Sequence, residues 1–426
     1  MKTYPVTRYA RATPSYRRGI FREVIPRRGI IYASLVIIFT AAVLAVLFMP
    51  TEAVAHASTN SGGAETELRE HVDEILNGID FGDLDEIAQN LTDADFNVFR
   101  GDSFAVRVGK ILSGEFVNDY PNILLALLAL FGGVVLDILP IVFLVVAIAL
   151  LCGFLNSIKS NQGGKGVHEV IHFVALAAVV TIVMVFAGDL AFQVGRVLAS
   201  LKTQMDIIFP ILLTLMAATG GAVSAGVYQP AVVMLSTGVM QIFTYLVMPL
   251  FFITLVFSVV GNLSPNIKLD RFTDFFTSAF KWIVGIVFTV FLAFLTIQGI
   301  TAAAHDGVSV RAAKLTISSY VPFLGGYISQ GFDLVLASSM LIKNAVGVAG
   351  LYLLLGVVLA PVIKIAVFML ALKLAAAITQ PIGDARISNF LTSITKPFGM
   401  LVAVLVGAAF MYFICVGLVI LTGNII

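Results

Sequence analysis

The stretch from Pro397 to Thr422 reads PFGMLVAVLVGAAFMYFICVGLVILT and contains no charged residue. An α-helix needs about 20 such residues to cross the hydrocarbon core of a bilayer, where its backbone satisfies its own hydrogen bonds. Five further stretches resemble it, and none shows the ten-residue alternation of an outer-membrane barrel. The sequence therefore predicts an all-α protein with spans at 123–155, 168–194, 231–261, 277–300, 344–378 and 397–422.

The overall composition also indicates a membrane protein. Of the 426 residues, 59% are hydrophobic and only 12% are charged, whereas a soluble domain carries roughly 25% charged residues. The formal net charge is +1, which gives no argument for a nucleic-acid partner.

No motif predicts catalysis, a metal or a cofactor. Cys152 and Cys415 lie in apolar segments, which is typical of buried thiols and not of a disulfide or metal site. His305 and Asp306 stand beside each other in one loop, but the nucleophile elbow of a hydrolase is absent. Nucleotide-binding and zinc-protease motifs are absent as well, so we expect no enzyme activity.

The N-terminus resembles a secretory signal. Residues 1–30 hold eight Lys and Arg against the single acid Glu23, and an apolar stretch runs from Ile30 to Met49. Small residues follow up to Ala57, which favours cleavage there. The length of the apolar run also permits an uncleaved anchor. We therefore treat 1–57 as a basic N-terminus with a signal peptide or anchor.

Residues 58–120 differ from the rest of the chain. They contain 14 of the 25 acidic residues and only four Lys and Arg. Apolar residues recur at helical spacing, as in Leu68, Val72, Ile75 and Leu76. We predict short amphipathic helices outside the cytoplasm, lying on the membrane or on a partner; a solvated acidic linker is the alternative.

Two segments, 207–229 and 317–342, are too polar to assign as spans. The stretch 123–155 is long and contains Pro140, which permits a broken or strongly tilted helix. The predicted loops 156–166, 195–206, 301–316 and 380–396 each hold two Lys or Arg, and 262–281 holds three. This distribution does not decide the topology.

An internal repeat of about 112 residues is predicted in the C-terminal half. A shift of 112 places Pro210 on Pro322, Gly238 on Gly350 and Pro249 on Pro361. At a shift of 115, RFTDFFTSAFK at 271–281 falls on RISNFLTSITK at 386–396. We therefore divide the membrane region into helices at 121–206, a first copy at 207–316 and a second copy at 317–426. Whether the copies are parallel or inverted stays open, since both arrangements occur in transporters.

Each copy contains a Gly-rich segment, ATGGAVSAG at 218–226 and FLGGYISQG at 323–331. Unwound backbone at membrane depth survives where it lines a cavity or is buried in protein. Small residues also allow close helix packing, so both roles stay open. The candidate path-lining or packing residues are Thr219, Gly220, Gly221, Ser224, Gly325, Gly326, Ser329 and Gln330.

Charged residues inside the apolar spans are few. Asp137, Asp189 and Lys364 are the clearest, and such residues face the interior of a bundle or water. We consider an ion pair between Asp137 and Lys364. Asp189 is close enough to the end of its predicted span to reach the interface.

Four stretches resemble the stage III sporulation protein AE family. They are ATGGAVSA at 218–225, QGITAAAHDGVSVRAAK at 298–314, LIKNAVGV at 341–348 and KLAAAITQPIG at 373–383. The likeness covers about 200–426 well and 123–195 more weakly. For 1–120 it extends only to the order of a signal followed by an extracytoplasmic region, and the long basic N-terminus departs from the family.

The resemblance implies a multi-pass protein of the mother-cell membrane that surrounds the forespore. It implies action with other stage III sporulation proteins of the same operon and a forespore-membrane partner, in a channel-like complex needed for late forespore gene expression. The residues favour a permease-like or channel-forming subunit, which could be an oligomer. The alternatives are a non-conducting scaffold and a secondary transporter of a small solute.

Overall fold

The computed structural model describes residues 64–89, 102–113, 120–159, 165–263, 269–303, 325–381 and 385–422, which form nine helices. Three short helices come first, and six long ones follow. The short helices are α1 (Ala64–Asn77), α2 (Gly82–Gln89) and α3 (Phe104–Leu112). The long helices are α4 (Tyr120–Lys159), α5 (Lys165–Ala218), α6 (Ala222–Leu263), α7 (Asp270–Ala303), α8 (Gly325–Thr379) and α9 (Ala385–Leu421).

The six long helices are long and apolar enough to cross a membrane. Each of the six predicted spans lies within one of these helices, except that 397–422 extends one residue beyond the end of α9. The prediction of an all-α, multi-pass membrane protein is therefore confirmed. The helix that contains 123–155 is unbroken, although Pro140 lies inside it. The predicted signal, at 1–57, and the loop with His305 and Asp306 fall outside the described residues.

Helix α5 corrects the predicted loop at 195–206. The helix continues without interruption for 54 residues, from Lys165 to Ala218. One side of 195–206 is apolar and fully buried, as Leu198 and Leu201 show. The apolar side is stabilised by packing, although the other side is polar. The prediction read the residues of both sides together as one polar segment and therefore assigned a loop.

The segment 207–229 does not form a separate helix. Its first part ends α5, its last part begins α6, and a tight turn joins them at Thr219–Gly221. The Gly220 backbone has φ 88°, and the Gly221 N–H donates to the Met216 carbonyl at 2.9 Å. This is the left-handed glycine termination of a helix, a conformation that a side chain would strain.

Two hairpins, α6–α7 and α8–α9, have the same orientation. The Asn262 amide, at the end of α6, donates to the Ser393 hydroxyl near the start of α9 at 2.8 Å. Near the start of α7, Asp274 lies 3.9 Å from Lys396. The connections within both hairpins therefore lie at one end of the bundle. If the hairpins are copies of one unit, the copies are parallel.

The α8–α9 hairpin forms the centre of the bundle. Helix α8 packs against α4, α5 and α9, and α9 also contacts α6 and α7. Gly347 and Gly350 permit close approach, since a Cβ at Gly347 would lie 2.6 Å from Ile420 and one at Gly350 2.9 Å from Ile208. Lipid is as apolar as the helices, so close packing and not the hydrophobic effect holds helices together in a membrane. Small residues at the contacts allow this close packing.

The short helices pack on the chain itself. α1 and α3 contact α8, and α2 contacts α5. Phe104 of α3 and Leu84 of α2 are fully buried, and Asp85 accepts a hydrogen bond from the Phe104 backbone N–H. The predicted amphipathic helices are therefore present, and their apolar sides lie against this chain's own bundle.

Candidate functional site: the polar face of α5

The buried side of α5 fixes its position in the bundle. Phe186 packs on Phe368 of α8, with ring centroids 4.5 Å apart. Phe209, six turns further on, packs on Tyr412 of α9 at 5.5 Å. Contacts at both ends therefore hold the stretch between them against α8 and α9.

The opposite side of this stretch is exposed and carries four polar residues together with Ala199 and Phe192, of which Phe192 is 69% exposed. It presents residues spaced three or four apart, which places them on one face of a helix. Over 17 residues the face is about 25 Å long. We call it the polar face of α5: Asp189, Phe192, Arg196, Ala199, Thr203 and Asp206, all exposed.

The charges of the polar face are not neutralised by other helices. Asp206 forms an ion pair with Lys202, one turn earlier in α5. Asp189 and Arg196 have no hydrogen bond or ion pair within the part of the chain that the structure describes. Both charges therefore point away from the bundle.

The polar face lies at the depth where another side of the protein is apolar. Phe368 packs on Phe398 of α9 at 5.1 Å, so the polar face lies between the heights of Phe398 and Tyr412. Helix α7 contacts the same part of α9, through the pair Phe288 and Phe410 at 6.4 Å.

At these heights α7 exposes large apolar side chains. Trp282 is 72% exposed and Ile286 is 55% exposed, as expected of a surface in lipid. A charge in hydrocarbon is costly and is normally placed toward protein or water. At these heights α7 exposes one charged residue, Lys281, whereas α5 exposes Asp189, Arg196 and Asp206. The α7 side is therefore better suited to lipid, and the polar face of α5 is better suited to water or to another protein.

The neighbouring helix α6 also exposes polar groups. Helix α6, which packs along α5, exposes Thr237, Gln241 and Thr244. This part of α6 contains two π-helical segments, Met234–Val239 and Phe243–Val247, a distortion that is frequent at functional sites. Gln204, beside Thr203 but fully buried, has no side-chain hydrogen bond among the described residues.

The three predicted intramembrane charges lie at similar heights but do not meet. Asp137 and Asp189 are exposed, and no ion pair joins Asp137 to Lys364 among the described residues. The Lys364 ammonium instead lies 6.0 Å from the centroid of the Phe186 ring. Asp189 lies inside the continuous helix α5, 24 residues after its start, and the expectation that it reaches the interface stays a prediction.

The Gly-rich segments differ from each other. Thr219 and Ser224 are buried at the α5–α6 turn, where the Thr219 hydroxyl donates to the Met216 carbonyl at 2.8 Å. The shift of 112 carries Gly220 and Gly221 to positions 332 and 333, inside the continuous helix α8. The second copy thus has no break at the equivalent place. Four predicted residues lie in the first two turns of α8, where side chains are not described: Gly325, Gly326, Ser329 and Gln330.

Sequence reasoning missed Lys343. This side chain is fully buried, and its ammonium donates to the Thr422 carbonyl at the end of α9 at 2.6 Å. The Thr422 hydroxyl also donates to Tyr228 of α6 at 3.4 Å. Lys343 lies between the predicted segments 317–342 and 344–378, so neither segment contained it. The available signal was its position in LIKNAVGV, one of the four stretches that resemble the family.

A family model described as stage III sporulation protein AE matches residues 103–423. The chain belongs to this family. Within it, the chain is 31% identical over 218 residues to the stage III sporulation protein AE of Bacillus subtilis (strain 168). That match covers 51% of this chain and 55% of the relative, so the chain spans about half the length of the curated relative it matches. No solved structure matches. The chain is therefore a multi-pass membrane protein of a sporulation family, and the description of the family names no enzyme activity.

Proposed function

We propose that this protein is a channel-forming or permease-like membrane subunit that acts in sporulation. The observation that supports it is the polar face of α5, which places two uncompensated charges, Asp189 and Arg196, at the depth of an apolar outer surface. Such residues in membrane segments mark pathways for ions or substrates. The passage runs along this face and not through the Gly-rich turn, where Thr219 and Ser224 serve packing.

The proposal includes a topology. The described ends of α4, α6 and α8 and the starts of α5, α7 and α9 lie at one end of the bundle. The sequence segments at these ends, 156–166, 262–281 and 380–396, carry seven Lys and Arg. This end faces the mother-cell cytoplasm by the positive-inside rule. Helices α1–α3 then lie on the other side, in the space between mother cell and forespore. There they meet the other stage III sporulation proteins and the forespore-membrane partner that the family resemblance implies.

Water access to the polar face tests the passage. In a background with Cys152→Ala and Cys415→Ala, Ala199→Cys is compared with Val290→Cys, which is 52% exposed on α7 near the height of Phe209. A charged aqueous thiol reagent, applied to membranes of sporulating cells, is expected to modify Ala199→Cys and to leave Val290→Cys unmodified. If the reagent modifies Ala199→Cys no more than it modifies Val290→Cys, no aqueous passage runs along α5.

Removal of a charge separates conduction from a scaffold role. We expect Arg196→Leu to abolish late forespore gene expression in a spore former that lacks its own copy, while Arg196→Lys retains it. The amount of each variant in the membrane is measured in the same cells. Normal reporter expression with Arg196→Leu would favour the non-conducting scaffold. Normal expression after deletion of the gene would favour a transporter unrelated to sporulation.

A further inference from the structure

The polar face of α5 is only one helix wide and is open on its outer side. On the neighbouring helix α4, the exposed side chains are largely apolar, with Leu136 at 70% and Phe143 at 67% exposure beside the exposed Asp137. These apolar side chains belong against lipid or protein. A single chain therefore supplies one wall of an aqueous passage, and the passage is incomplete without further walls.

We infer that several copies of this chain surround a common axis and that their α5 polar faces together enclose the passage. This inference rests on the proposed function. Membrane insertion gives all copies the same orientation, so the axis is normal to the membrane. Cyclic symmetry of this kind is the commonest arrangement of homo-oligomers.

The order of charges along the face favours a water-filled space between copies. Equivalent residues meet at one height, so Asp189 faces Asp189, and Arg196 faces Arg196 about 10 Å further along the axis. Like charges repel across a dry contact, and buried charges without partners are costly. In a hydrated lumen the same residues form rings of charge, an arrangement that channels use for selectivity.

The chemistry of the face also favours copies over a foreign helix. The charges of Asp189, Arg196, Lys202 and Asp206 sum to zero, so a ring of copies carries no excess charge. A single foreign helix that covered the face would need a base opposite Asp189 and an acid opposite Arg196, two turns apart. The copies require only water between them, and Ala199 and Thr203 leave room for it.

The test uses cross-linking between two differently tagged copies of the full chain in one cell. In the cysteine-free background, Ala199→Cys and Thr203→Cys are treated with bis-maleimides of increasing length. We expect a chain–chain product that carries both tags, with at least a tenfold greater yield than for Val290→Cys on α7. Equal yields at Val290→Cys would overturn the inference, because association would then not involve the polar face.

The remaining outcomes separate the two proposals. If Ala199→Cys reacts with the aqueous reagent but gives no chain–chain product, or a product with a different protein, the assembly of copies is wrong and the passage stands. If Ala199→Cys resists the aqueous reagent, the passage itself is wrong and the assembly falls with it. Reporter expression from the cysteine-free background confirms that the protein under test is functional.

Discussion

The α6–α7 and α8–α9 hairpins differ most at positions that the sequence pairs. Phe275 of α7 and Phe390 of α9 occupy the same place in the connectors RFTDFFTSAFK and RISNFLTSITK. Phe275 is 65% exposed, whereas Phe390 is completely buried. Two connectors with similar sequences thus occupy the edge and the centre of one bundle. An apolar helix can pack against lipid or against protein, so its sequence alone does not determine whether it lies at the edge or at the centre of the bundle.

Truncation of the paired phenylalanines is expected to have the largest effect on stability. Phe390→Ala leaves a cavity at the centre and should cost about 2–3 kcal/mol, less than in a soluble core because lipid is also apolar. Phe275→Ala removes only contacts at the surface. The measurement is the midpoint of thermal unfolding in detergent. Equal losses for the two variants would mean that α7 is covered as fully as α9.

The paired glycines give the next largest contrast. A Cβ at Gly350 would lie 2.9 Å from Ile208 of α5, whereas one at Gly238 of α6 would meet nothing closer than 4.0 Å. Gly350→Leu should therefore destabilise the bundle by about 1–3 kcal/mol. Gly238→Leu is the matched control, and we expect it to retain the wild-type unfolding midpoint. A midpoint unchanged by Gly350→Leu would contradict the close contact of α8 with α5.

A hydrogen bond that joins the hairpins should have a smaller effect. The bond between the Asn262 amide and the Ser393 hydroxyl is worth about 0.5–1.5 kcal/mol. A double-mutant cycle with Asn262→Ala and Ser393→Ala isolates this coupling in unfolding experiments. Additive effects of the two substitutions would show that the hairpins are not joined at this point.

The smallest effect is expected for the ion pair between Asp274 and Lys396. The two side chains lie 3.9 Å apart and are 67% and 62% exposed, so solvent screens their attraction and it contributes about a few tenths of a kcal/mol at most. Asp274→Asn should leave the unfolding midpoint unchanged within error, at low and at high salt. A strong dependence on salt would mean that this end of the bundle is covered by other protein.

The sequence predicted elements whose signal is local and continuous. A run such as 397–422 has no structure available in lipid other than a helix, so all six spans are correct. The prediction failed where two faces of one helix differ. In 195–206 the buried Leu198 and Leu201 alternate with Arg196 and Lys202, and only the packing partners show that the apolar side dominates.

The candidate site was predicted only in part. Asp189 was identified because a lone charge in an apolar run is conspicuous, but Arg196 was assigned to a loop. The remaining polar residues are ordinary taken singly, and they form a surface only when α5 continues through them. Comparison with the exposed side of α7 at the same depth also requires the three-dimensional structure, since Asp206 and Trp282 are more than 70 residues apart in the sequence.

The length of α8 has a mechanical consequence. Its 55 residues extend about 80 Å, whereas the hydrocarbon core is about 30 Å thick. The helix is continuous between its contacts with α1 and α3 and its contacts with α4, α5 and α9 in the bundle. No proline interrupts α8 before Pro361, so the part from Gly325 to Ala360 transmits displacement along its axis. A partner that tilts or pulls α1–α3 also moves the centre of the membrane domain, so attachment outside the membrane and rearrangement within it are a single motion.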